Sequence, residues 1–441
     1  MIRRLLQAPF GGTARAVFSR ALAILASFLL TVAVARMLGV EAAGSFFLAF
    51  TSLTVIATFG RFGTDNLALK ICGGDSARVR TELGHSAAIA AISSLVGIGL
   101  VYVVLTVTGY VLPGLNPRWN LLILSAVLPQ AFAVVAGSVL RGRGRLALGI
   151  IAELGSIPAV SIVLLLLCGA SGILSLTTAL LSFVAASWLT ALWAVAAAAA
   201  TLQSEPVLPG EPTGGGFREF LLSHLGQLSS MMGTSLLFYL LTWSPLYALS
   251  IASSLANVSY YTAAARLANL VALVPSIQVS YLSPAFARHF HWGEIRELNS
   301  LAQHAVRQAA ALLLVPVVVL SLASPWIVHV LYGATFAPAA LPLTVLAVGV
   351  FLVALAGQVN QLMLLCDLES PALIQSVILV FLWSTAGLWV AGHFGATGVA
   401  WFGAAVGLLY AVSAAWLLRT KRGIQPNLTF DHRPLASESS V

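Results

Sequence analysis

The chain has 441 residues, of which 59% are hydrophobic and 8% charged, and its mean hydropathy is +0.97. Soluble domains carry roughly 25% charged residues, so this composition excludes a water-soluble enzyme or binding module. The net charge of +8 is then a statement about membrane topology and anionic-lipid contact, not about nucleic acid.

A helix needs about 20 apolar residues to cross a hydrocarbon core of ~30 Å. The sequence predicts about twelve such runs, at 14–37, 42–65, 83–107, 119–140, 147–168, 173–200, 219–247, 252–285, 304–331, 338–365, 371–391 and 394–418. The seventh is interrupted by Trp243-Ser-Pro245 and the eighth by Asn257. Barrel strands alternate in polarity and are about half as long, so continuous runs predict an all-α polytopic integral membrane protein. Met1-Ile-Arg-Arg4 is basic, but the first run ends in Arg36-Met-Leu-Gly39 without a small-residue cleavage site, and no cleavable signal is expected.

With the N-terminus placed in the cytoplasm, 18 of the 22 Lys and Arg residues fall inside, from Arg3 to Arg433. Only Arg36 and Arg118 fall outside, while Arg61 and Arg266 lie within spans. This is a strong positive-inside bias, and an even number of spans leaves both termini cytoplasmic. The Pro- and Gly-rich stretch Gln203–Phe217 reads as a flexible linker. It divides an N-lobe (1–202, helices 1–6) from a C-lobe (218–420, helices 7–12), with a cytoplasmic tail at 421–441. His289–Leu298 is expected to form an amphipathic helix at the cytoplasmic surface. No outside loop is large enough for a catalytic domain, and no enzyme activity is expected.

Cys72, Cys168 and Cys366 form no pair motif, and His289 and His291 would not share a helix face, so no metal or disulfide is expected. Arg141-Gly-Arg-Gly-Arg145 lacks the strand–turn–helix setting of a phosphate loop and reads as a tight basic turn at the headgroups. Neither an ATP motif nor a cofactor signature is present.

The candidate site residues are polar groups inside apolar runs. Arg266 stands about 9 residues, ~14 Å, into its helix, too deep for easy snorkelling, and an arginine at that depth marks a substrate path or a structural inter-helix bond. Arg61 lies ~25 Å down the second span, where it faces a cavity, reaches headgroups, or pairs with Asp65 at i+4. Arg20 lies ~10 Å from the cytoplasmic edge, and Glu153 equally deep in the fifth span. Glu153 is expected to neutralise a cavity arginine, carry a coupling proton, or reach the interface. His224, Gln227, Met231 and Thr234 share one helix face, as do Gln358 and Gln361. Those two glutamines, with His224, Gln227, Asn269 and Asp65, suit sugar hydroxyls or helix–helix bonds. Arg36 reads as an interface anchor, and Trp119, Trp243, Trp326 and Tyr332 as an aromatic belt.

The halves look like copies. Ser45-Phe-Phe-Leu-Ala49…Leu53 opens the second span and Ser259-Tyr-Tyr-Thr-Ala263…Leu267 the eighth, as in transporters with internal repeats. Phe18-Ser-Arg20, Ala35-Arg-Met-Leu-Gly39, Ala43-Gly-Ser-Phe-Phe47 and Arg61-Phe-Gly-Thr-Asp65 with Leu69-Lys70 carry a wider match. It continues through Tyr260–Leu267, Leu282-Ser-Pro-Ala-Phe286, Leu331-Tyr-Gly-Ala-Thr335 and Gly395-Ala-Thr-Gly-Val399. Over about residues 13–425 the chain resembles the multidrug/oligosaccharidyl-lipid/polysaccharide (MOP) flippase superfamily, in particular its O-antigen (Wzx-type) branch.

The resemblance implies two six-helix lobes around a central cavity that opens alternately to each side of the bacterial inner membrane. It also implies a polyprenyl-pyrophosphate-linked oligosaccharide as cargo, with Arg266, Arg61 and Arg20 on the pyrophosphate. Membrane lipids and other glycan-assembly proteins would be the partners. The chain departs from lipid II flippases at Ala26 and Ala265, where they carry an arginine and an acid, and it lacks their two further helices. The first span has no acid of the kind drug exporters of the superfamily carry. A cation-coupled drug or metabolite exporter of the same fold is the alternative.

Overall fold

The computed structural model describes residues 10–72, 79–109, 115–203 and 216–426. Most of the expected linker and tail, as well as Arg3, Arg4, Arg78 and Arg433, lie outside the described residues. All described elements are helical. Helix α1 (Phe10–Leu38) turns through Gly39, whose φ of 79° suits glycine, into α2 (Val40–Arg61). The second span stops at Arg61, four residues before its expected end, because Phe62 and Gly63 take φ of 49° and 75° and α3 (Thr64–Cys72) turns away. Next come α4 (Val79–Thr108), α5 (Asn120–Leu124) and α6 (Val127–Gly142). The fifth span is α7 (Leu146–Ile150) joined to α8 (Ser156–Ala170) by a π-helical turn at Ile151–Gly155, and α9 (Leu176–Gln203) follows.

The second half begins with α10 (Phe217–Ala252), which stays continuous across Pro245. The eighth span breaks not at Asn257 but at Ala272, where α11 (Leu255–Val271) meets α12 (Leu273–His291) at 48°. Pro275 has no N–H to offer the Val271 carbonyl, and its ring crowds that carbonyl. His289–Leu298 is not one amphipathic helix but the end of α12 at His291, a turn at 292–294 and the start of the next helix at Ile295: Gly293 takes φ of 72° and His289 Nδ1 lies 2.6 Å from the Glu294 carboxylate. Then follow α13 (Ile295–Leu322), α14 (Ser324–Tyr332), α15 (Ala340–Leu355), α16 (Val359–Leu365), α17 (Glu369–Leu382), a π-turn at Trp383–Gly387, and α18 (Leu388–Arg422).

Among the described residues ten helical stretches can span a membrane, or eleven with the bent pair. The longest, Glu369–Arg422, leaves helical geometry at Gly395 (φ 55°, ψ −148°), and its division there gives twelve. Phe18, Leu100, Leu192, Leu322, Phe381 and Trp401 are all more than 60% exposed, as lipid-facing side chains are.

The cores show how the lobes meet. At the end that holds the α1–α2 turn, one core draws Phe46, Phe183 and Leu180 from the first half and Ala263, Leu267, Tyr332 and Phe336 from the second. At the other end the cores are separate. Leu83, Val139, Leu140 and Ala198 pack within the first half, and Phe286, Leu298, Leu362 and Leu418 within the second. The exception is α10, whose first turns place Phe220 and Leu228 against Leu67 and Ile89 of the first half. Two lobes therefore join at one end and part at the other.

Candidate functional site

The joined end is sealed by backbone contacts that side-chain periodicity does not reveal. Gly44 of α2 crosses α11 so closely that a Cβ would collide with the Leu255 carbonyl. Beside it, Ser259 Oγ donates to the Val40 carbonyl. Arg36, read from the sequence as an interface anchor, is exposed near the end of α1 and also bonds across the lobes. Its Nε donates to the Leu331 carbonyl at 2.8 Å, and its Nη2 bonds the Val330 carbonyl, so it bridges α1 to α14. The repeated segments at 45–53 and 259–267 thus face each other across the lobes.

Where the lobes part, a cavity of about 670 Å³ opens, largely within the second half. Its polar lining consists of Arg20, Tyr261, Ser276, Gln358, Asn360, Gln361 and Tyr410. Arg20 reaches it from α1, is exposed, and is the sole charged residue in the lining. Tyr410 donates to the Asn360 amide oxygen at 2.8 Å. The Ala305 carbonyl accepts from Gln278 Nε2 at 3.1 Å, and Gln278 Oε1 in turn accepts from Gln358 Nε2 at 3.3 Å. That relay fixes both amides and leaves the buried Gln358 Oε1 without a donor. Gln278, Asn360 and Tyr410 were not among the sequence candidates, and only the last two line the cavity.

Arg266 lies between the lobes rather than in the lining of that cavity. Its guanidinium sits 5.8 Å from the Phe50 ring of α2 and 5.4 Å from the Trp243 ring of α10, within cation–π range. It makes no hydrogen bond or ion pair among the described residues, and its nitrogens are not among the buried, unsatisfied atoms; they remain accessible. Trp243 and Tyr332 are not belt residues. Trp243 stacks on this arginine, and Tyr332 is buried with its hydroxyl donating to the Ala263 carbonyl at 3.2 Å.

Arg61 is committed elsewhere. Its Nη1 lies 3.4 Å from the Asp65 carboxylate, its Nη2 donates to Thr58 Oγ1 at 2.7 Å, and its guanidinium covers the Tyr239 ring of α10 at 5.7 Å. The i+4 pairing with Asp65 is the alternative the structure takes, and the arginine is only 6% exposed. Glu153 also has a partner: Arg141 Nη2 lies 2.8 Å away, and Ser138 Oγ donates to the same carboxylate oxygen at 3.3 Å. The pair is possible because Gly137 and Gly149 bring α6 and α7 together with no room for a Cβ on either. Arg141 therefore belongs to this pair and not to the basic turn alone.

The remaining candidates are dispersed. His224 bonds the Phe220 carbonyl of its own helix at 3.0 Å and stacks on Phe220. Gln227 is half-buried and Asn269 exposed, and neither lines the cavity. Of the ten sequence candidates, the cavity collects Arg20, Gln358 and Gln361. Among the described residues no cluster of His, Cys, Asp and Glu could hold a metal ion.

No protein-family model matches the chain, and no curated protein does. Solved structures are similar to it over nearly its whole length. A MATE protein in complex with MaL6 aligns with a TM-score of 0.66 at 16% identity, covering 95% of this chain and 97% of that one. The fold is that of the MATE transporters. A mutant form of the Vibrio cholerae MATE transporter VcmN gives 0.66 at 17% identity, covering 93% and 96%. An outward-facing multidrug resistance MATE family transporter of the MOP superfamily gives 0.63 at 16%, covering 95% and 97%. The fold therefore agrees with the one that the sequence resemblance implies; no O-antigen flippase is among these three structures.

Proposed function

We propose that the chain is an exporter of the bacterial inner membrane that works by alternating access, with both termini cytoplasmic and lobes at 1–202 and 218–420 joined by the 203–217 linker. The observation that carries this reading is the pairing of a MATE-type fold over 95% of the chain with lobes sealed at one end and parted at the other. By the charge distribution the sealed end is outside, so this is an inward-facing arrangement. Rocking of the lobes would break the seal around Gly44 and Arg36 and close the cavity.

A drug or metabolite exporter has the more direct support for cargo, because the structures that share the fold are MATE transporters, one of them named for multidrug resistance. A second reading, translocation of a polyprenyl-pyrophosphate-linked oligosaccharide, draws on Arg20 and Arg266, the two of its three candidate arginines that have no acidic partner among the described residues. Guanidinium groups hold pyrophosphate through bidentate bonds. Both readings use a cavity whose lining contains no acid, so cation coupling would run through Glu153 in the first lobe.

Export by the full chain in efflux-deficient cells and in proteoliposomes tests the reading. Extrusion of organic solutes supports the first cargo. Restored surface glycan in a flippase-deficient strain supports the second. The absence of both at normal expression would contradict the exporter assignment.

A further inference from the structure

Polarity is unevenly distributed in the C-lobe cavity. Arg20 of α1 and the Gln358–Gln361 stretch that follows α15 line it together, and Arg20 is the one contribution from the first half. Tyr410 is tied to that stretch by its bond to Asn360.

Apart from Tyr261 and Ser276, the rest of the lining is largely apolar. Leu346, Val350 and Val353 of α15 line it with Trp383 and Val406, and Gly403 and Gly407 add no side chain to the wall. Drug-sized ligands occupy pockets of roughly 300–1,000 Å³, and this one measures about 670 Å³. With Arg20 as the sole charge in the lining, a cationic cargo would meet like charge without relief, and a neutral one would gain nothing from the guanidinium, whereas an anionic head would pair with it.

We propose that this cavity binds an amphipathic organic anion, its apolar body between α15, α17 and α18 and its anionic head at Arg20. The proposal rests on the exporter reading for its physiological meaning, but the site itself is a binding claim. The apolar body enters the C-lobe instead of remaining in surrounding lipid. The same chemistry, an anionic head on an apolar body, is offered by a compact aromatic sulfonate and by a prenyl pyrophosphate.

The full chain in lipid nanodiscs separates head, body and source. Farnesyl pyrophosphate, farnesol, inorganic pyrophosphate, 1-anilinonaphthalene-8-sulfonate and rhodamine 6G would be titrated, and saturable binding measured. The expected order places at least one of the two amphipathic anions at least tenfold tighter than farnesol, pyrophosphate or the cationic dye. Preference between those two anions identifies the source.

Arg20→Gln should weaken anion binding at least tenfold, and Arg20→Lys should recover part of it. Gly407→Leu, whose Cβ has ordinary contact room at 3.5 Å from Val353, should block the apolar body while the protein stays monodisperse. Gly403→Leu provides a second filling variant. Tight binding of the dye, equal binding of farnesol, absence of anion binding, or unchanged affinity in Arg20→Gln would overturn the proposal. Anion binding without export in proteoliposomes would remove the exporter reading and leave the site standing. Export unaffected by Arg20→Gln and both filling variants would do the reverse.

Discussion

Arg141 of α6 and Glu153 of the π-turn meet at 2.8 Å across a helix crossing that only glycine permits, with Gly137 and Gly149 at the contact. Ser138 completes the set by donating to the carboxylate and accepting from Arg141 Nη2 at 3.1 Å. A π-turn inserts one extra residue into a helix and often marks a functional position. Here it places Glu153 toward α6.

Glu153→Gln should lower export and flatten its dependence on pH, because the amide neither balances Arg141 nor exchanges a proton. Removing one partner of a fully buried pair costs about 3–5 kcal/mol. The Arg141 side chain is 31% exposed, so about 1–3 kcal/mol is expected after discounting for screening. Thermal unfolding of Glu153→Gln, Arg141→Gln and the double variant measures the coupling. Unchanged export across pH in Glu153→Gln would remove the coupling role and leave a structural pair.

Arg36→Ala should loosen the sealed end. Ser259 is fully buried there, so a cysteine in its place should react slowly with a membrane-impermeant thiol reagent. Labelling of Ser259→Cys is expected to rise severalfold when Arg36→Ala is added. An equal rate in both backgrounds would show that the bonds to Val330 and Leu331 do not hold the lobes together.

Reporter fusions at Gly74, Gly144, Gly214 and Gly423 should read cytoplasmic, and those at Asn116, Gly172 and Gly395 periplasmic. The 18-to-2 division of basic residues motivates this pattern. A periplasmic signal at Gly214 would give each half an odd number of spans and contradict the two-lobe arrangement.

Local features were the legible ones. Span number follows from continuous apolar length, and the Arg61–Asp65 pair from its i+4 spacing. Long-range partners were not legible: Arg36 bonds carbonyls 294 and 295 residues away, and backbone acceptors leave no mark in side-chain sequence. Tyr332 at a span end suggested a belt, yet the lobe contact buries it. Glu153 and Arg141 flank a tight turn, and antiparallel neighbours joined by a short loop were the available signal for their pairing. Pro275 accompanies a break of 48° at Ala272, whereas α10 stays continuous across Pro245, and proline alone does not distinguish the two in the sequence.

The central proposal is export by alternating access between the lobes, where Arg266 stands between Phe50 and Trp243, and for an anionic cargo its most direct test is export by Arg266→Ala. Loss of a bidentate guanidinium contact to the anion should lower cargo affinity more than tenfold while the protein still inserts and accumulates. Arg266→Lys keeps the charge without the planar fork and should retain partial activity, and Arg118→Ala should be near neutral. Proteoliposomes loaded with an amphipathic anion are predicted to lose most of their efflux in Arg266→Ala. Full efflux at normal protein level would contradict the account, reducing Arg266 to a cation–π bridge between Phe50 and Trp243.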